Sequence, residues 1–445
     1  MAGNIFSDLP FLQTIQSPKL INPKKSIKGP LTFYTIKNPQ KGSGVMCIEF
    51  VFKINYLGIL HKNSLIPYFS NQLLNSGSFN HNELEISQKL QSFGAHIKFE
   101  TNRMYSVISI YFISNQIKPV LSLISDFILS PTYPAKVIKD RVDNEKKEFL
   151  INIERLSIQS RLLIKKTLYG EGHPYGRAII ASNFDNIKSE DLIDFHTDVY
   201  NNDNLEIIIS GDLSEDILDV VSIYFSKINA PSANYISKEK HVFDNNKNIL
   251  LPPFNDAEYI YVGQDNALQT AFRIAKILPG PDHIDFFALR ILVAIFGGYF
   301  GSRLMTNIRE EKGYTYGIGA YLIIEENYSE LHIVTEVGEK YTKLVVDEII
   351  KEMEKLKNQE MSNEELEKVK AYLLGSLLHS CDGIFNQAIL FRNLKKHNSS
   401  FQYIDLFTDE IRSINTAKIK QLANKYFNVD SFSFVACGPP ERKLW

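Results

Sequence analysis

Cysteine is scarce in this chain of 445 residues, which contains only Cys47, Cys381 and Cys437. Three cysteines cannot pair completely, and these are scattered without C-x-x-C spacing. The sequence therefore argues against both a disulfide framework and a cysteine zinc site. We expect all three to be small buried hydrophobic residues.

The sequence also lacks an excess of charge and long apolar runs. The formal net charge is -2, which provides no basic footprint for nucleic acid. The apolar run at 291–296 is far too short to span a bilayer. Residues 1–10 show neither the charged nor the apolar region of a signal peptide. The compartment therefore stays open between the cytoplasm and, if a leader has been cleaved, the periplasm.

The length of the chain predicts more than one domain, because single hydrophobic cores stop growing well below this size. Residues 229–253 are polar, have no apolar period and end in Pro252-Pro253. We interpret this stretch as a linker. It separates a predicted domain at 20–228 from a second predicted domain at 254–445.

The two halves share a pattern. Each opens with an alternating β-rich stretch, at 46–54 and at 269–277. Each closes with a β-run that ends in glycine, at 205–211 and at 431–438. The pattern predicts two tandem, similar α+β domains.

Helices are predicted between these strands. Asn82 has the position of a helix cap, and Gly94 ends the apolar pattern that follows. Ser362 and Glu365 have the spacing of a capping box. Residues 341–356 form another amphipathic stretch.

The most specific segment is the glycine-rich run GGYFGSRL at 297–304, followed by NIREEKGYTY at 307–316. This segment resembles the second-domain signature of the pitrilysin/insulinase-type zinc peptidases, which include the mitochondrial processing peptidases. The resemblance implies a metallohydrolase-like fold with two mainly antiparallel sheets packed with helices. It also implies that Arg309 and Tyr316 act on the substrate at the zinc site.

The chemistry of these two side chains suits that role. An arginine offers fixed donors to a substrate carbonyl or carboxylate, and a tyrosine hydroxyl can stabilise a developing oxyanion. The alternative is that Arg309 is a solvated helix residue and Tyr316 a half-buried strand residue.

In the first half the resemblance calls for the zinc motif H-x-x-E-H on a helix. The family's motif is followed by an apolar pair and a short turn, which match residues 73–78. In that register the histidine, glutamate and histidine positions fall on Tyr68, Asn71 and Gln72. None of these is a usual zinc ligand, and neither Asn71 nor Gln72 can serve as a general base.

The third ligand position falls on Asn152 by pattern or on Glu148 by spacing. Asn152 is preferred, because the stretch 169–177 then matches the family's later loop after a short deletion. The whole metal set is therefore expected to be replaced, so that this chain binds no zinc itself.

A rearranged metal site is the alternative. The ten histidines include no i, i+4 pair that could share a helical face. A rearranged site would use His61 and His81 with Glu83 or Glu85.

The resemblance implies a non-catalytic, half-length subunit of a heterodimeric metalloendopeptidase. Its partner would be a homologous half-length chain that carries H-x-x-E-H and the zinc, and the substrate would be a peptide. Two alternatives stay open. One is a structural or peptide-binding scaffold, like the core proteins of the cytochrome bc complex, and the other is an active zinc peptidase with a rearranged site.

Overall fold

The computed structural model describes residues 17–39, 44–54, 63–173, 175–228, 258–397 and 399–440. The predicted linker at 229–253 lies outside these residues, so the domain boundaries stay a prediction. Within the described ranges, no helix combines the length and the apolar character that crossing a membrane demands. All three cysteines are buried, as the sequence predicted.

The first half contains a six-stranded sheet in the order β1-β2-β6-β3-β5-β4. Strand β2 pairs with β6 in parallel, and the other neighbours are antiparallel. Seven consecutive residues of β3 are buried, because helices cover both faces of this central strand. The strands are β1 Lys24–Lys28, β2 Leu31–Lys37, β3 Val45–Lys53, β4 His96–Thr101, β5 Tyr105–Ile113 and β6 Leu205–Gly211.

The second half contains a five-stranded sheet in the order β7-β11-β8-β10-β9. Its first and last strands pair in parallel, and all other pairs are antiparallel. Apart from the extra β1, this is the order and direction of the first sheet, which confirms two similar α+β domains. The strands are β7 Tyr259–Gly263, β8 Gln269–Pro279, β9 Thr315–Ile324, β10 Tyr328–Gly338 and β11 Ser433–Gly438.

The helices follow a similar order between the strands of both halves, and the first half adds α8 after its last strand. Those of the first half are α1 Ile66–Gln72, α2 Glu83–Ser92, α3 Ile117–Leu129, α4 Ala135–Ile153, α5 Leu156–Tyr169, α6 Ser182–Asp185, α7 Ser189–Val199 and α8 Ile217–Phe225. Those of the second half are α9 Phe286–Val293, α10 Thr342–Asn358, α11 Asn363–Ser380, α12 Ile384–Lys395, α13 Gln402–Ser413 and α14 Thr416–Tyr426. Two π-helical segments follow α9, at Ala294–Gly298 and Met305–Glu311.

The predicted caps are largely confirmed. Asn82 accepts a hydrogen bond from the Glu85 amide at 3.0 Å, and the Glu85 carboxylate accepts one from the Asn82 amide at 2.9 Å. The Ser362 hydroxyl likewise accepts from the Glu365 amide at 3.1 Å. The second half of that predicted box is wrong, because the Glu365 carboxylate instead accepts two bonds from Arg303, at 2.7 and 2.9 Å.

One helix of each half packs on the sheet of the other half. Helix α5 of the first half lies against β8 and β11, and α12 of the second half lies against β6 and β2. These helices occupy equivalent places in the repeat. Each brings a cation to a buried carboxylate: Lys165 to Glu330 at 2.5 Å, and Arg392 to Glu49 at 2.7 Å. Because α5 and α12 each pack on the opposite sheet, the two halves share a core of hydrophobic residues and buried ion pairs.

Candidate functional site

The three positions predicted to replace the zinc motif, Tyr68, Asn71 and Gln72, lie on α1, a short helix with Pro67 in its first turn, where the missing N–H is tolerated. Asn71 is fully buried against the β4–β5 hairpin. Its amide nitrogen donates to the Glu100 carbonyl at 2.8 Å and to the Thr101 hydroxyl at 2.9 Å. Its oxygen accepts from the Tyr200 hydroxyl at 3.0 Å. The structure thus places Asn71 as a link between the helix, the hairpin and the end of α7.

Tyr68 and Gln72 are also held by neighbours. The Tyr68 hydroxyl donates to the Glu145 carboxylate at 3.1 Å. Burial raises the pKa of Tyr68, and the negative charge of Glu145 raises it further. The Gln72 amide donates to the Phe99 carbonyl at 3.1 Å. Both side chains therefore bond to protein groups at the positions where the family's motif has metal ligands.

The helix that should supply the third ligand is α4. Its Glu145 faces Tyr68 directly. Glu148 lies one turn further along, whereas Asn152 is seven residues from Glu145, about 10 Å along the helix axis. Asn152 is partly buried, and its carbonyl accepts from the Arg155 amide at 3.1 Å. This geometry places the spacing-based alternative, Glu148, nearer to Tyr68, and the choice between the two stays a prediction.

Only part of the rearranged site can be described, because His61 lies outside the described residues. His81 Nδ1 is 2.9 Å from an Asp126 carboxylate oxygen, and its Nε2 is 2.5 Å from the Lys89 ammonium. A cation at Nε2 opposes metal binding there. Glu85 is engaged in the cap of α2, and Glu83 is exposed. Among the described residues, no three His, Cys, Asp or Glu side chains are arranged to hold a metal ion.

The glycine-rich segment packs closely against β9 and forms a junction with it, at the point where the π-helical segment Ala294–Gly298 ends. A Cβ on Gly297 would lie 2.7 Å from the Ala320 backbone nitrogen, so the close approach of the two elements requires glycine there. Leu304 and Ile308 are buried beneath the junction. Much of the motif is therefore explained by packing alone.

Arg309 and Tyr316 lie together at this junction. The Arg309 Nε donates to the Tyr316 carbonyl at 3.0 Å, and its guanidinium lies 4.8 Å from the centre of the Phe300 ring. The Tyr316 side chain is 94% exposed, which differs from the half-buried strand residue of the alternative interpretation. The pair combines a guanidinium fixed by the backbone with a phenol that projects into solvent.

Tyr316 borders a cleft of about 430 Å³ between α5 and the second sheet. Arg273, on β8, also lines this cleft and donates to the Tyr321 hydroxyl at 3.0 Å. Sequence reasoning missed Arg273. Its signal is a charged residue between apolar neighbours, Phe272 and Ile274, in a predicted strand, which indicates a polar partner on that face.

Behind the cleft lies a buried polar cluster around Glu330, which sequence reasoning also missed. The Lys165 ammonium and His332 Nε2 both contact the Glu330 carboxylate, at 2.5 and 2.7 Å, and the Tyr169 hydroxyl donates to it. Burial by itself would raise the pKa of Glu330. The hydrogen bond from His332 and the charge of Lys165 outweigh this effect and lower the pKa to about 2.

Comparison with known proteins finds a family match that begins near the end of the first half and extends over much of the second half. Residues 186–373 match the family model described as Peptidase M16 inactive domain. A Bacillus subtilis protein named uncharacterized zinc protease YmxG is 21% identical over 373 residues, which cover 82% of this chain and 86% of that protein. A Schizosaccharomyces pombe protein named probable mitochondrial-processing peptidase subunit beta is 23% identical over 295 residues, which cover 62% of this chain and 61% of that protein.

The fold has a close match among solved structures. The crystal structure of a peptidase M16 inactive domain from Pseudomonas fluorescens superposes with a TM-score of 0.81 at 21% identity. The match covers 95% of this chain and 99% of that one. The resemblance inferred from the segment at 297–316 is confirmed.

Proposed function

From its relationship to the M16 peptidases, we propose that this chain is a non-catalytic subunit of an M16-type metallopeptidase. It pairs with a homologous chain that carries H-x-x-E-H and the zinc. Together the two chains enclose the peptide, and this chain presents Arg309 and Tyr316 to the substrate held at the partner's metal.

The observation that carries this proposal is the bonding of Asn71. At the place of the general base, the residue donates to a backbone carbonyl and a hydroxyl and accepts from a third group. A glutamate there would be an acceptor facing a carbonyl oxygen. The position has a structural task that a catalytic carboxylate could not perform, which supports a chain that does not activate water by itself.

The exposure of Tyr316 supports a role in trans. Its hydroxyl projects from an edge strand next to a cleft, and the Arg309 guanidinium is held beside it. The relative from Schizosaccharomyces pombe is named as a subunit, which supports pairing with another chain.

The metal content is the first test. We expect no stoichiometric zinc in the purified full chain, measured by elemental mass spectrometry after dialysis against a weak chelator. Stoichiometric zinc that disappears in a His81→Ala variant would refute the proposal and point to the rearranged site.

The second test uses this chain co-purified with a homologous H-x-x-E-H chain from the same genome, and an internally quenched peptide as substrate. Tyr316→Phe should lower kcat about 10²-fold, the usual effect of removing an oxyanion donor. Tyr372→Phe is the matched control, because Tyr372 is also partly exposed but stacks on Tyr299 and does not line the cleft that Tyr316 borders. Equal cleavage rates for all three complexes would contradict the role of Tyr316.

A scaffold function is the second candidate, and one observation favours it. The bond from Arg309 to the Tyr316 carbonyl stabilises the junction by itself, so the motif can persist without catalysis. A scaffold predicts a stable complex in which Arg309→Ala lowers the melting temperature and leaves cleavage by any active partner unchanged.

A further inference from the structure

A second cavity, of about 480 Å³, lies where the two halves meet. Its walls come from equivalent parts of the repeat. They are the β4–β5 turn at Arg103, the end of β9 at Glu325, helix α5 at Lys165 and the end of α12 at Lys396. The cavity therefore exists only because α5 and α12 cross to the opposite halves, and it is separate from the cleft at Tyr316.

The lining carries an excess of positive charge. Lys165, Arg103 and Lys396 contribute three cations, and Glu325 is the only carboxylate among the described residues that line this space. The Glu325 carboxylate is 3.6 Å from the Arg103 guanidinium. Burial raises the pKa of Glu325, although the charge of Arg103 opposes this effect. The lining itself thus carries two more positive than negative charges, and the Glu330 carboxylate that contacts Lys165 from outside the lining reduces the local excess to one.

The cations are held in place by groups outside the cavity. The Arg103 guanidinium lies 3.7 Å from the centre of the Tyr175 ring. Lys165 contacts Glu330, and the Lys396 ammonium is 5.7 Å from the centre of the Tyr105 ring. Burial lowers the pKa of Lys396 and the charge of Arg392 lowers it further, whereas the charges of Glu100 and Glu49 oppose both effects. An anion in the cavity would further favour the charged form of Lys396, because it would place another opposite charge beside a desolvated ammonium.

A smaller apolar cavity of about 230 Å³ adjoins the first one. The two share Ile324, Asn393 and His397 in their walls. The lining of the smaller cavity includes Leu377, Leu390 and Leu394. Its volume suits one branched aliphatic side chain or a short alkyl chain. Charged and apolar walls are therefore adjacent, as expected for a ligand with a carboxylate next to an apolar group.

We propose that this pair of cavities binds an organic carboxylate with an apolar group beside it. The carboxylate lies among Arg103, Lys165 and Lys396, and the apolar group lies against Leu390 and Leu394. The C-terminal end of a peptide and a free fatty acid share this chemistry. The proposed carboxylate site involves neither zinc nor Arg309. It is therefore independent of the role in proteolysis proposed for this chain.

The test is calorimetric titration of the full chain with two matched probes, N-acetyl-leucine and N-acetyl-leucinamide. They differ only in the carboxylate. We expect the acid to bind at least tenfold more tightly than the amide, a difference of about 1.4 kcal/mol. Octanoate serves as a third probe, and its affinity relative to N-acetyl-leucine distinguishes a fatty acid from a peptide end.

Lys396→Gln should weaken binding of N-acetyl-leucine at least tenfold. Lys395→Gln is the control, because it removes the same charge one position away, where Lys395 bonds to Glu206 and Tyr34 instead of lining the cavity. Leu390→Trp, which fills the apolar cavity, should weaken octanoate binding and provides a variant with unchanged charge. Equal affinities for acid and amide, equal losses in the two lysine variants, or no binding of any probe would overturn the proposal. Circular dichroism melts verify that each variant is folded.

Discussion

Replacing Asn71 with aspartate is the sharpest test of the structural role assigned to this residue, which is predicted to stand at the general-base position. The substitution keeps the shape of the side chain and exchanges its NH₂ group for an oxygen. That oxygen would face the Glu100 carbonyl, which the amide now contacts at 2.8 Å, and the Val107 carbonyl, at 3.4 Å. The bond from Tyr200 and the contact with the Thr101 hydroxyl are compatible with a carboxylate.

The expected loss has two parts. Removing the donors leaves buried carbonyls unpaired, at about 1–3 kcal/mol. The new carboxylate is also fully buried, which raises its pKa in the folded state, and a pKa that is higher by one corresponds to about 1.4 kcal/mol. We expect a total loss of about 3–5 kcal/mol in the free energy of unfolding at pH 8.

The pH dependence separates the two parts. The folded-state pKa of the aspartate would lie above the value of about 3.9 in the unfolded chain, so the charge penalty is complete at pH values above the folded-state pKa. The charge penalty decreases as the pH falls from the folded-state pKa toward the pKa of the unfolded chain. Asn71→Ala also loses the hydrogen bonds but introduces no titratable group, so its loss should show no such recovery.

Urea denaturation followed by circular dichroism at pH 5 and pH 8 measures these losses for wild type, Asn71→Asp and Asn71→Ala. An aspartate variant as stable as the wild type at pH 8 would refute the reasoning. The same conclusion would follow if the difference between the two variants did not change with pH.

Two further predictions concern stability. Lys165→Met should lower the free energy of unfolding by about 3–5 kcal/mol, because Glu330 would be left buried without its cation, and adding Glu330→Gln should restore much of the loss in a denaturant titration. Because the pKa of Glu330 is depressed to about 2, its stabilising contribution should also be lost as the pH falls from about 4.5 toward that value. Gly211→Ala should lower the melting temperature, because Gly211 has a φ of +115° and a Cβ there would lie 2.4 Å from the Val45 carbonyl oxygen. Gly375→Ala, in the middle of α11 with no atom within 4 Å of the added Cβ, should raise the stability by about 0.5–1 kcal/mol, and a drop would contradict the account of both glycines.

The elements that local pattern determines could be predicted from the sequence. The run at 205–211 forms β6 with these bounds, and the alternating stretch at 269–277 lies within β8. The closing run of the second half begins at Ser433, two residues later than predicted, because Val429–Ser431 forms a 3₁₀ turn. The glycines that end the two closing runs, Gly211 and Gly438, are both in close contact with neighbouring strands or side chains.

The candidate site was only partly accessible to sequence reasoning. The motif directed attention to Arg309 and Tyr316, and the structure brings the two into contact. The resemblance also places Tyr68 and Asn71 at metal-motif positions, which stays a prediction. The group that contacts Tyr68 is Glu145, which neither pattern nor spacing singled out. Helix α4 has nineteen residues, and successive residues point in different directions around its axis. Only the packing of the folded chain decides which of them meet α1.

The sequence by itself determined several of the strands, the Asn82 cap, the duplication and the family, because each depends on local periodicity or on a contiguous motif. The tertiary structure decided which half each helix covers. The crossing of α5 and α12 brings Lys165 to Glu330 and Arg392 to Glu49, across separations of 165 and 343 residues. The local sequence does not show which cation meets each of these carboxylates, because the counter-charge that offsets the cost of burial arrives from elsewhere in the fold.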